Sequence, residues 1–168
     1  MEKRRAGLSK GGSFLGLLGW IGITAAAAAL GSAAAAGSRE FYEGLQRPSW
    51  APPASVFGPV WTVLYLAMAV AAWMVWRARN FIGARVALAL FLGQLALNAL
   101  WTWLFFAWHR GALAFVAVLL LWGSVAMTMN LFRRVRPVAG TLLIPYLGWV
   151  TFAAALNYAV WKANPGLL

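Results

Sequence analysis

The chain has 168 residues, 63% of them hydrophobic and only 10% charged, with one histidine, no cysteine and a net charge of +11. A soluble domain carries roughly 25% charge, so this chain cannot cover a water-facing surface, and lipid must be its solvent. Without cysteine there are no disulfides and no thiolate sites. The positive charge does not call for nucleic acid, because it is clustered between apolar runs where anionic headgroups account for it.

No Asp, Glu, Lys or Arg occurs in 11–38, 48–76, 86–108, 111–132 or 137–161, and a membrane span needs about 20 apolar residues. The chain therefore reads as an all-α integral membrane protein, a bundle of five transmembrane helices with almost nothing left for a soluble domain. A basic tail, 1–13, precedes a single domain over 14–168. The first span, about 14–37, is dense in alanine and glycine, which lets a neighbouring helix come close where lipid supplies no hydrophobic drive. Its basic flank and the run Ala33 to Ser38 also have the pattern of a signal peptide with a small-residue cleavage site. The length of the apolar run and the odd span count favour a retained helix. The connector 38–55 follows, carrying Glu40, Glu43 and the stretch Gln46-Arg47-Pro48-Ser49-Trp50-Ala51-Pro52-Pro53. Its prolines restrict φ at their own positions and ψ just before them, so the segment is expected to be stiff and extended. It is either a lid over the helix ends or a proline turn with an interfacial tryptophan.

The remaining spans run about 56–79, 82–108, 111–132 and 138–162, joined by connectors short enough to make neighbours antiparallel. Pro137 and Pro145 mark the start of the last span, Pro145 as a bend. Ten of the fourteen basic residues lie in the tail and in the second and fourth connections, among them Arg77, Arg79, Arg85, Arg133, Arg134 and Arg136. The positive-inside rule then puts the N-terminus in the cytoplasm and the C-terminus outside, with an inner membrane favoured.

Eleven tryptophans pose the functional question, since indole serves both as an interfacial anchor and as a stacking wall for a flat ligand. Gln94, Asn98 and Trp101 share one helical face, Trp61 and Tyr65 another, and Trp149, Ala153 and Leu156 a third beside Asn157. These faces either converge on a cavity rimmed by indole, phenol and amide groups or use the amides as interhelical glue. Asn98 and the aromatic pairs favour the cavity, Gln94 and Asn157 the glue. Conventional catalysis has no constellation: no carboxylate lies within a span, no metal-ligand cluster is visible, and no nucleophile sits beside a base. His109, beside Arg110 at a helix end, reads as interfacial and not as a haem ligand. Ala89-x3-Gly93 is a small-residue stripe suited to close packing within the bundle or across a dimer. Leu156, Tyr158 and Lys162 match the loose sterol-contact pattern.

The stretch Arg47 to Pro53, followed by Phe57-Gly58-Pro59-Val60-Trp61-Thr62-Val63-Leu64-Tyr65, resembles the first-loop signature of the tryptophan-rich sensory protein/translocator protein family. So do Gly93 to Asn98 with Trp101 and Phe105-Phe106, and Pro145-Tyr146-Leu147-Gly148-Trp149 with Leu156-Asn157-Tyr158-Ala159-Val160-Trp161. The resemblance covers about 41–164. It implies a five-helix bundle, commonly homodimeric, that binds tetrapyrroles such as protoporphyrin IX, sterol-like lipids, and isoquinoline or benzodiazepine ligands, with no cofactor required. It implies a pocket beneath the first loop, lined by Trp50, Trp61, Tyr65, Asn98, Trp101, Trp149, Ala153 and Leu156, with Trp122 where bacterial relatives also place tryptophan. Light-dependent porphyrin degradation, with Trp149 and Trp61 in a photochemical role, and transport of tetrapyrrole or sterol are the alternatives. The dimer stripe departs from a strict small-residue run at Leu97. Trp20, Trp73, Trp76, Trp103, Trp108 and Trp161 are expected to pack, face lipid or anchor at the interface.

Overall fold

A computed structural model describes residues 10–78 and 81–168. The tail residues Lys3, Arg4 and Arg5, and Arg79 in the second connection, lie outside the described residues. The elements are α1 (Lys10–Ala34), α2 (Ser38–Gly44), a 3₁₀ turn (Ala54–Val56), α3 (Phe57–Arg77) and α4 (Ala84–Thr102). They continue through a π-helical turn (Trp103–Ala107), α5 (Gly111–Val135), α6 (Pro137–Thr141) and α7 (Ile144–Ala163). Five segments are long and apolar enough to cross a membrane, with the π turn extending α4 and α6–α7 forming one span. Helix is the expected answer in lipid, where each backbone N–H and C=O must be satisfied within its own segment.

Two expectations are refined. The connector after α1 is not extended throughout, because its first half coils into α2 before the prolines begin. The last span is broken over Leu142–Leu143, one residue ahead of α7 and two before Pro145, which sits in the first turn of α7 where its missing N–H costs nothing. α3, α4, α5 and α6–α7 form a closed group, and α1 lies outside it against α3 and α4.

Two indole donors hold α1 at its two ends. Trp73 Nε1 of α3 donates to the Ser13 carbonyl at 2.8 Å, and Trp103 Nε1 of the π turn donates to the Leu30 carbonyl at 3.1 Å. Between them Trp20 packs edge-on against Phe91 of α4, with ring centroids 5.8 Å apart. Gly16 lies on the Trp76 ring so closely that a Cβ there would overlap it. Contact of this kind is how small residues supply attraction between helices in lipid. The π turn arises where Trp108 N–H reaches back to the Trp103 carbonyl at 2.9 Å. Trp103, at its start, is the residue that reaches the Leu30 carbonyl of α1, and such turns are frequent at functional sites.

At the core, Asn157 of α7 joins three helices. Its Oδ1 accepts the Trp101 indole N–H at 3.1 Å, and its Nδ2 donates to the Gly111 carbonyl at 3.2 Å. Gly111 starts α5 against Trp161 and Leu168, where a Cβ would approach both within 3.0 Å. Gly16→Leu should force α1 off Trp76 and lower stability by about 1–3 kcal/mol. Gly19→Leu, at a position with nothing within 4 Å, should change it little. Thermal unfolding of both variants in detergent is the measurement.

Candidate functional site

α1 and α3 meet at Gly16 and Trp76 and separate toward the α2 end, leaving a cavity of about 640 Å³ bounded by α1, α2, α3 and α4. The α1 wall is made of small residues, including Thr24, Ala25, Ala28, Gly31 and Ser32. Phe57, Gly58, Trp61, Thr62, Tyr65 and Leu66 form the α3 wall, and Asn98, Trp101, Thr102 and Phe106 close it from α4 and the π turn. α2 roofs it with Ser38, Arg39 and Tyr42.

The inner wall is a hydrogen-bonded chain. Tyr65 O–H donates to Asn98 Oδ1 at 3.0 Å, and Asn98 Nδ2 donates to the Tyr146 hydroxyl at 3.1 Å. Tyr146 O–H donates to Gln94 Oε1 at 2.7 Å, and Gln94 Nε2 contacts the Met68 sulfur at 3.8 Å. The aromatic rings interlock around it: Trp61 lies 5.7 Å from Tyr65, 6.3 Å from Trp101 and 6.1 Å from Tyr146, between ring centroids. Among the described residues no buried side-chain nitrogen or oxygen lacks a partner. The floor is thus polar in composition but already satisfied, so it presents an aromatic surface and few free donors.

The roof is pinned, not loose. Gln46 N–H donates to Asn164 Oδ1 at 2.9 Å and Asn164 Nδ2 returns a bond to the Gln46 carbonyl at 2.9 Å, so a single amide pairs with the connector like a strand edge. Tyr42 O–H donates to the Pro52 carbonyl at 3.0 Å, and the Arg47 guanidinium lies over the Tyr42 ring at 4.7 Å. Burial pushes the Tyr42 phenol pKa up, with Arg47 opposing the shift. Phe41 stacks on His109 at 4.0 Å, tying α2 to the turn before α5. His109 itself adopts φ +50°, the left-handed region that few side chains occupy.

The residues expected around a pocket divide into two groups. Trp61, Tyr65, Asn98 and Trp101 line the cavity together. Trp149 does not; it packs against Phe57 at 6.0 Å, and Phe57 stands between it and the cavity. Trp50 is half exposed and edges onto Phe152, which packs in turn on Trp149. Ala153 and Leu156 are buried on the inward face of α7. Trp122 faces outward, donating to Thr151 Oγ1 at 2.9 Å. Leu156, Tyr158 and Lys162 do not share a face, since Leu156 points inward while Tyr158 is exposed against Phe115 and Lys162 lies over Trp161. Ala89 and Gly93 lie on the exposed face of α4, and a Cβ at Gly93 would meet nothing within 4 Å. The α1 wall and Arg39 line the cavity without belonging to any of the polar and aromatic faces legible in the sequence. The alanine and glycine density of α1 is the sequence signal for this wall, and it is equally compatible with packing. No cluster of three or more metal-ligating side chains occurs among the described residues.

A family model described as the TspO/MBR family matches residues 20–162. The chain belongs to that family. It is 44% identical over 128 residues to the translocator protein of Homo sapiens, covering 75% of this chain and 76% of that one. It is 42% identical over 127 residues to the protein CrtK of Rhodobacter capsulatus, covering 75% and 79%. The tryptophan-rich sensory protein of Cereibacter sphaeroides is 42% identical over 125 residues, covering 74% and 77%. With five spanning helices and this family, the protein is an integral multi-pass membrane protein.

Because Asn164 alone closes the Gln46 pair, Asn164→Ala should loosen the connector at Gln46 without touching the cavity wall. The change removes the two bonds to Gln46 and the one from Asn164 Nδ2 to the Val160 carbonyl at 2.7 Å, and should cost roughly 1–3 kcal/mol. Limited proteolysis within 46–53 should accelerate several-fold, and an unchanged cleavage rate would show that the prolines and the Tyr42 contacts hold the segment without Asn164.

Proposed function

We propose that this protein is a membrane receptor for tetrapyrroles such as protoporphyrin IX, bound in the cavity between α1, α3 and α4. The observation that carries the reading is the cavity itself: about 640 Å³, walled by the indoles of Trp61 and Trp101, with its inner polar groups satisfied among themselves. Pockets for drug-sized ligands span roughly 300–1,000 Å³ and are mostly apolar with a few placed polar groups. A flat macrocycle gains by stacking on indole and loses little where no unpaired donor is left behind. Sterol-like and isoquinoline or benzodiazepine ligands suit the same apolar walls. The basic connections support a cytoplasmic N-terminus and an inner membrane. Exposed Ala89 and Gly93 support a homodimer through α4.

A second reading, light- and oxygen-dependent breakdown of the bound porphyrin, draws on Tyr65, Trp101 and Tyr146 each standing within 6.3 Å of Trp61, ring to ring. Such a cluster can take an oxidising equivalent from an excited ligand and oxygen. Illuminated turnover giving a defined product from intact protein would support it; loss of protein in step with porphyrin would count against it.

Quenching of intrinsic tryptophan fluorescence by protoporphyrin IX measures binding directly. Trp61→Leu and Asn98→Leu should each weaken affinity by roughly tenfold, a loss of about 1.4 kcal/mol. Unchanged affinity in both would remove the cavity as the site.

A further inference from the structure

Arg39 is the one charged side chain among the described residues that line the cavity. It sits at the edge of the α2 roof, and its 74% exposure marks that edge as the mouth, where the cavity meets the outside. Its Nε donates to Glu43 Oε1 at 2.9 Å. A guanidinium carries five N–H donors in a fixed fork, and this bond uses one of them. The side chain is 74% exposed, so four donors remain for a second acceptor. The mouth also holds the hydroxyls of Ser32 and Ser55, which are exposed and make no hydrogen bond among the described residues. The deep wall is the reverse, since Tyr65, Asn98 and Thr102 already spend their side-chain bonds inside the protein. Polar capacity is therefore free at the mouth and used up at the floor.

We infer that the cavity selects acid-headed ligands in one orientation, with the flat apolar body inward and a carboxylate at the mouth on Arg39. The inference rests on the tetrapyrrole reading above and adds the head-group chemistry and the direction of insertion. The ligand carboxylate takes the guanidinium N–H groups that Glu43 leaves free, in the paired geometry that arginine and carboxylate favour. Glu43 competes for the same cation and so limits affinity for acids. The ion pair is exposed, so its weight is modest and falls with salt.

The test compares protoporphyrin IX with its dimethyl ester, which keeps the macrocycle and loses both charges, by fluorescence quenching of the full chain in detergent. Arg39→Gln should weaken binding of the diacid about threefold to fivefold and leave the diester unchanged, and Arg39→Lys should recover part of the loss. Glu43→Gln should act in the opposite direction, tightening the diacid alone. High salt should narrow the gap between diacid and diester. Equal effects of these variants on the two ligands, or none on either, would overturn the head-group assignment. Two filling variants keep that outcome separate from failure of the site itself. Ala28→Trp and Gly58→Leu project into the cavity from opposite walls, and a Cβ at Gly58 meets nothing within 4 Å. Both should weaken diacid and diester alike. If neither does, the ligand lies elsewhere and the cavity reading falls. If they do while Arg39→Gln treats the ligands alike, only the role of Arg39 is lost.

Discussion

In a bundle surrounded by lipid, a buried polar group has only other protein groups to bond with, and that constraint organises this molecule. α3, α4, α5 and α7 contribute amides, phenols or indoles that are satisfied on another helix. Asn157 ties α4, α5 and α7; Asn98 and Tyr146 tie α3, α4 and α7; Trp73 and Trp103 tie α1 to its neighbours. Such bonds are worth about a kilocalorie or less apiece in a membrane, because the separated helices would also find partners. Their effect is on register more than on strength. A helix rotated by one residue would leave several of these groups unpaired together, which is costly where no water can enter.

The cavity follows from the same constraint acting on α1. This helix brings almost no polar side chain to the core, and Thr24 bonds back to its own backbone. α1 is held instead by indoles from outside and by close contact at Gly16. Where the neighbour comes close, small residues give tight packing. Where α3 diverges, the same small residues leave empty volume. One compositional feature thus produces a clamp at one end of α1 and a chamber at the other. The roof is fixed independently, by Asn164 and Tyr42, so access to the chamber need not involve wholesale movement of the connector.

Much of this was legible beforehand. The charge-free runs marked five spans because a charge at membrane depth is too expensive to occur by accident. The faces holding Trp61 with Tyr65, and Asn98 with Trp101, were legible because helical periodicity places them together whatever surrounds the helix. The α7 face was equally legible as a face, but its destination was not. Trp149, Ala153 and Leu156 share a side of α7, yet Trp149 packs on Phe57, which lines the cavity where Trp149 does not, and that tertiary contact has no local sequence signature. Trp122 carried no periodic clue to its outward bond with Thr151. The helical half of the connector was hidden by the prolines that follow it, and the π turn has no sequence signature that separates it from ordinary helix.

By itself, then, the sequence determined solvent, span count, family and the identity of the aromatic and amide faces, because these depend on composition, on local periodicity and on motifs carried along the chain. Only the tertiary structure decided which faces bound an empty volume, that α1 supplies one wall of it, and that Arg39 stands at its mouth. Those facts depend on the separation and tilt of helices far apart in sequence, and the same alanines are compatible with contact or with a chamber until the partner helix is in place.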